Sequence, residues 1–216
     1  NGLIFIRGQK EDFGDWQELG ATNWDYRNVL PYFRKLESYK EGESQYRGGL
    51  GELGVSDLRN DDPFCRAWIN AAQEYGLPFN PDFNTETSFG VGSYQLSIKG
   101  RWRSSAASAF LKPALGRSNL TIKTNCHTTR VLFKEKQAVG VEWLENGKKE
   151  QAIAKSEIIL AAGALQSPQI LQLSGIGAKD LLEKHKIQMV AHSPEVGANL
   201  QDHYQMRTIV KLKQKK

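Results

Sequence analysis

The four histidines and two cysteines are the side chains best able to do chemistry, and their settings argue against most of it. His127, His185 and His192 carry no motif context, so surface or helix-end positions are expected for them. Cys65 and Cys126 lie far apart and match no metal spacing; no metal site is expected, and both read as reduced thiols. Gly49-Leu50-Gly51-Glu52-Leu53-Gly54 is a literal G-x-G-x-x-G. That fingerprint binds a pyrophosphate only where a strand leads into it and a helix leaves it, so that the helix N-terminus meets the phosphates. Here EGESQYRG precedes it and VSDLRNDDP follows, and neither supplies the required element.

The stretch EIILAAGALQSPQILQLSGIG, residues 157–177, is more promising. Its first half is continuously apolar, as expected of a strand buried on both faces of a parallel sheet. The strand would end in Ala161-Ala162-Gly163-Ala164, where the lack of side chains lets another group approach the backbone closely. Ligands of open α/β sheets sit at the carboxyl ends of strands. Ser167 and Pro168 read as N-cap and first residue of the next helix, and Gly175 as the residue that closes it.

Helices are expected over DFGDWQELG, with Phe13, Trp16 and Leu19 on one face, and over 26–38, with Val29, Leu30, Phe33 and Leu36 inward and Pro31 near the start. Further helices are expected over 63–75, 104–115 (capped by Ser104 or Ser105) and KDLLEKHK. Residues 1–8, 94–98 and 187–190 read as short strands. NLTIKT, TTRVLFKE, AVGVEWLE and KEQAIA read as a β-meander, with Asn146-Gly147 as a hairpin turn.

Composition fits a globular chain of 216 residues, with 39% hydrophobic and 25% charged residues. The net charge of +5 is spread out, apart from the tail KLKQKK. No basic surface interleaved with aromatics emerges, so nucleic acid is not an expected partner. No apolar run approaches the ~18–20 residues of a membrane span.

The residues GALQSPQILQLSGIG resemble the second sequence pattern of the glucose–methanol–choline oxidoreductases, an FAD-dependent family. NGLIFIRGQKEDFGDWQELGATNWDYRNVLPYFRKLE, SAASAFLKPAL, NLTIKTNCHTTRVLF, AVGVEW and VGANLQDH fall in the family's order and spacing too, so the resemblance covers nearly the whole chain. Its choline dehydrogenase and bacterial alkanol dehydrogenase branch is the nearest.

The resemblance implies a mixed α/β fold: a Rossmann-like FAD-binding domain carrying the meander, and a substrate domain built on an antiparallel sheet, both incomplete. It implies FAD-domain segments at 1–48 and 116–201, and substrate-domain segments at 49–115 and from 202 to 216. By the same resemblance Asn1 and Gly2 line the flavin, the backbone at Thr128 meets the adenine, and Ala162 and Gly163 sit near the cofactor. His203 takes a structural or cofactor-loop role, because the family's catalytic histidine belongs to a later segment; no catalytic residue is assigned. The implied reaction oxidises a primary alcohol, of choline or alkanol type, to an aldehyde, with a quinone or oxygen as electron acceptor. The implied location is cytoplasmic, with a peripheral membrane position as the variant. The chain is expected to be an internal piece of the enzyme that needs the remainder as partner. The competing expectation is a non-catalytic piece or interaction module that binds no flavin alone.

Overall fold

The computed structural model describes residues 2–59, 62–202, 204–206, 209 and 211. The chain divides into two units, one up to Thr121 and one from Ile122. Among the described residues no helix is long and apolar enough to cross a membrane.

The first unit begins with α1 (Lys10–Glu18) and α2 (Tyr26–Leu36). The Asp25 carboxylate accepts the N–H groups of Arg27 and Asn28 and so starts α2 by satisfying two donors that no turn of helix precedes. Phe13 packs edge-on against Trp16 and Phe33, which ties the two helices together. Pro31 lies inside α2 and not at its start, because the cap at Asp25 opens the helix five residues before it reaches the proline. Strand β1 (Glu37–Tyr39) follows at once and pairs in parallel with β2 (Leu53–Val55). α3 (Pro63–Glu74) starts with a proline at its first position and the Asp62 carboxylate on Phe64 N–H. The stretch expected as a strand at 94–98 pairs, among the described residues, through bridges from Leu96 to Ile4 and Ser56 and through Ile98 at its end. It leads into a two-residue ladder of β3 (Ile98–Lys99) and β4 (Trp102–Arg103). The helix expected at 104–115 is a π-helical segment, Ala107–Leu111, running into α4 (Lys112–Ala114). Ser105 and Ser108 cap its entry reciprocally, each accepting the other's backbone N–H.

The G-x-G-x-x-G run lies in the connection from β1 to β2, with β2 at its end and no helix directly after it. Its glycines, with Gly48 before them, serve packing. A Cβ on Gly48 would stand 1.8 Å from the Arg34 carbonyl oxygen, and one on Gly51 2.4 Å from the Leu36 carbonyl carbon.

The core of this unit is as polar as it is apolar. Beside Phe13, Val55, Phe83 and Ala109 it buries Arg7, Glu37, Arg47, Asn84 and Gln95. Glu37 is flanked by Arg7 and, at 2.6 Å, by Arg47, which also reaches Asp82 at 3.3 Å. Asn84 Oδ1 accepts Arg7 N–H at 2.9 Å, and Gln95 Nε2 donates to Asp57 at 3.1 Å. The Tyr39 hydroxyl also donates to Asp57; burial first, and that carboxylate second, hold it well above the usual phenol range.

The second unit is a meander of β5 (Cys126–Lys134), β6 (Gln137–Glu145) and β7 (Lys148–Ile153), flanked by α5 (Gly163–Leu173), β8 (Ile176–Gly177), α6 (Lys179–Lys184) and β9 (Ala191–His192). Asn146 and Gly147, both at positive φ, make the two-residue turn between β6 and β7, with Glu145 opposite Lys148. β5 carries a bulge between Thr128 and Arg130. β8 and β9 pair in parallel, so the last strand lies at 191–192 and not at 187–190.

Other expected strands do not form among the described residues, and at 2–8 the pairing is a single bridge from Ile4. Residues 120–124 and 157–160 have no ladder partner among the described residues, and Ile159 is 80% exposed. β-branched composition favours extended backbone, but a strand exists only where a second one takes its hydrogen bonds.

Glu142, on β6, is buried and holds the meander by its side chain. It accepts from Arg130 at 3.1 Å, from the Thr129 hydroxyl at 3.0 Å and from Gln151 at 3.3 Å. Those bonds, Arg130's above all, hold its carboxyl below the ordinary value. A folded-state pKa below the unfolded one stabilises the fold above the unfolded value, about 4.3, and that contribution disappears as pH falls from there through the folded value. The melting temperature is therefore expected to fall more steeply with acidification for the wild type than for Glu142→Gln. Parallel melting curves of the two proteins from neutral pH downward check this; equal slopes would contradict it.

Candidate functional site

The bulged edge strand β5 and the helix α5 face each other across a cleft of about 290 Å³. Cys126, His127 and Thr128 line it from the strand; Ala162, Gln166 and Gln169 line it from the helix side, above Ile170.

The geometry of α5 comes from its ends. Gly163 opens the helix at φ +88°, a conformation that favours glycine, and the Ala162 N–H donates to the Ser167 hydroxyl at 3.0 Å. Ser167 and Pro168 thus lie inside the helix. The hydroxyl caps by reaching back from within, and so the helix starts four residues before the expected N-cap. Gly175, at φ +91°, closes it as expected; a Cβ there would meet the Gln188 carbonyl oxygen at 2.3 Å.

Helix and strand are joined at the far end by Ser174. Its hydroxyl accepts the buried Val131 N–H at 2.8 Å and donates to the Ile170 carbonyl. Ser174→Ala leaves that N–H buried without a partner, and a loss of about 2 kcal/mol is expected from the usual cost of such a group. Chemical denaturation of the variant measures it. A variant as stable as the wild type would mean that the hydroxyl does not anchor the helix.

The wall of the cleft has hydroxyl, thiol, imidazole and carboxamide groups, and no Lys, Arg, Asp or Glu. Its volume lies at the small end of ligand sites, which span roughly 300–1,000 Å³. Such a space suits one neutral ring system with hydrogen-bonding edges, and not a pyrophosphate. A pyrophosphate would need cations or a free helix N-terminus elsewhere.

The structure brings two of the anticipated residues, Thr128 and Ala162, onto this one cleft. Gly163 lies beside it as the first residue of α5, and Gly2 belongs to the other unit. Asn1 and His203 lie outside the described residues. His127 stands on the cleft, His185 at the end of α6 and His192 in β9. Gln166 and Gln169 line the cleft as well, and their i, i+3 spacing in one helix is the sequence signal for it.

Comparison with known proteins places this arrangement. The GMC oxidoreductase family profile matches residues 1–205, and the chain belongs to that family. It is 44% identical over 206 residues to the mitochondrial choline dehydrogenase of Homo sapiens, covering 95% of this chain and 35% of that protein. To the alcohol dehydrogenase [acceptor] of Pseudomonas putida it is 41% identical, covering 94% of this chain and 37% of that protein. An FAD-dependent oxidoreductase from Chaetomium thermophilum superposes with a TM-score of 0.83 at 32% identity, over 90% of this chain and 36% of that one. The chain thus spans about a third of the length of the curated relatives it matches. Its mixed helix-and-sheet structure is that of an incomplete FAD-binding α/β fold, and FAD is the cofactor of the family.

Proposed function

We propose that this chain forms part of an FAD-dependent oxidoreductase acting on CH–OH donors. The observation that carries the reading is the neutral cleft between β5 and α5, lined by Thr128 and Ala162, in a chain of the GMC family. Residues 116–201 would supply the wall against which the adenosine half of the cofactor lies, and 49–115 part of the substrate side.

The substrate is a primary alcohol of choline or alkanol type, as the relatives' names support, and the product its aldehyde. Bound flavin supplies the hydride acceptor for that chemistry. What this chain's residues do is bind and orient. Thr128 and its bulge shape one wall, Ser174 ties that strand to the helix opposite, and Ala162 lines the cleft with a small side chain. The electron acceptor would be a quinone or oxygen.

Flavin absorbance of the purified enzyme tests the reading. Visible flavin bands that bleach anaerobically on adding choline or a medium-chain alkanol are expected. A colourless protein that takes up no added FAD would favour an interaction module in place of an enzyme.

A further inference from the structure

The geometry points to Gln166 and Gln169 as the residues that recognise the adenine edge of the cofactor, an assignment that rests on the function proposed above. Both residues line the cleft from α5, three residues apart, opposite Cys126, His127 and Thr128. Gln172, the next glutamine in the helix, spends its amide on the Val196 carbonyl at 2.8 Å and closes the chain against the helix. Among the described residues the side chains of Gln166 and Gln169 make no hydrogen bond, and both residues are exposed. They are therefore free to act on a ligand.

A primary carboxamide offers one acceptor and two donors in a plane. Adenine offers a matching edge, an amino donor at N6 beside an acceptor at N7, and Gln or Asn is the side chain that pairs with it in two bonds. No charged group lines the cleft, so nothing there would prefer a phosphate or a carboxylate to a neutral base. Burying the purine against Ile170 adds apolar contact below the polar rim. Ala162, with its small side chain, leaves the two amides accessible.

The assignment separates two kinds of ligand. A flavin that carries adenosine gains from the glutamines, and a flavin without it does not. Within the first kind, replacing the 6-amino group by oxygen turns a donor into an acceptor and removes one of the paired bonds.

The test is affinity, read from quenching of flavin fluorescence on titration into the apo form of the enzyme that carries this chain. Gln166→Ala/Gln169→Ala is expected to weaken FAD by about 10- to 100-fold, the range such a pair of bonds provides. It should leave FMN affinity unchanged. The hypoxanthine analogue of FAD should bind the wild type more weakly than FAD and lose that disadvantage in the double variant. Alanine is the better helix former, so the melting temperature should hold, which separates lost recognition from lost fold. FAD bound by the double variant at wild-type affinity would overturn the assignment alone. A wild-type apoenzyme that binds no FAD would overturn the assignment together with the function it rests on.

Discussion

Glu37→Ala is expected to destabilise the first unit by about 3–5 kcal/mol, the range for removing one partner from a buried ion pair. The Glu37 side chain is 0% exposed, and those of Arg7 and Arg47 only 3% and 2%. Without the carboxylate, two guanidiniums would face each other in the interior, with Asp82 beside Arg47 and the Tyr46 carbonyl accepting from Arg7. Arg47 lies with its guanidinium 4.0 Å from the centre of the Tyr39 ring and so cannot swing to water without abandoning that stack. Burial pushes the Glu37 carboxyl up, while Arg47 and Arg7 pull it down. The Arg47–Glu37 contact at 2.6 Å lacks hydrogen-bond alignment at Glu37 Oε1, so this pair depends on charge more than on direction. Urea unfolding followed by the fluorescence of Trp16 and Trp24 reads the effect. An unchanged midpoint would mean that the cluster is already solvated. Replacing Arg7, Glu37 and Arg47 together by apolar residues of similar volume should cost less than the single change, since the one charge left without its partner is Asp82, whose side chain is 15% exposed.

Ala162→Trp is expected to weaken FAD binding by about 100-fold or more, equivalent to about 2.7 kcal/mol. Residue 162 lines a cleft of only about 290 Å³, and an indole would take much of that space. The backbone there (φ −85°, ψ 7°) accepts any L residue, so the helix start should survive the change. Ala162→Ser, which adds one atom, should retain most of the affinity. Equilibrium dialysis against FAD distinguishes the two variants. Tryptophan tolerated as well as serine would place the cofactor away from this cleft. Circular dichroism of both variants guards against a general loss of fold.

These two sites differ in how far the sequence disclosed them. Thr128 and Ala162 came from a family pattern, and α1, α2, α3 and α6 from apolar periodicity and end residues such as Pro63. The hairpin at Asn146-Gly147 was legible because its turn requires two residues that tolerate positive φ. The Arg7–Glu37–Arg47 cluster was not legible. Its members are distant along the chain, and no local rule pairs a buried arginine with a remote glutamate. The start of α5 misled because Ser167 has the chemistry of a cap, and here it performs that chemistry from inside the helix. The apolar runs at 120–124 and 157–160 misled for another reason: propensity is local, whereas a strand is a property of two segments.

The glycines between β1 and β2 carry a last consequence, for how variation in this chain should be interpreted. Every codon change that replaces glycine adds at least one carbon, and at residue 48 that carbon would land 1.8 Å from the Arg34 carbonyl oxygen. Selection would therefore purge substitutions there as strictly as in a nucleotide-binding loop. An absence of polymorphism at Gly48 and Gly51 would record steric exclusion by the protein's own backbone, and a pattern search that equates such glycines with phosphate binding will count this chain in error.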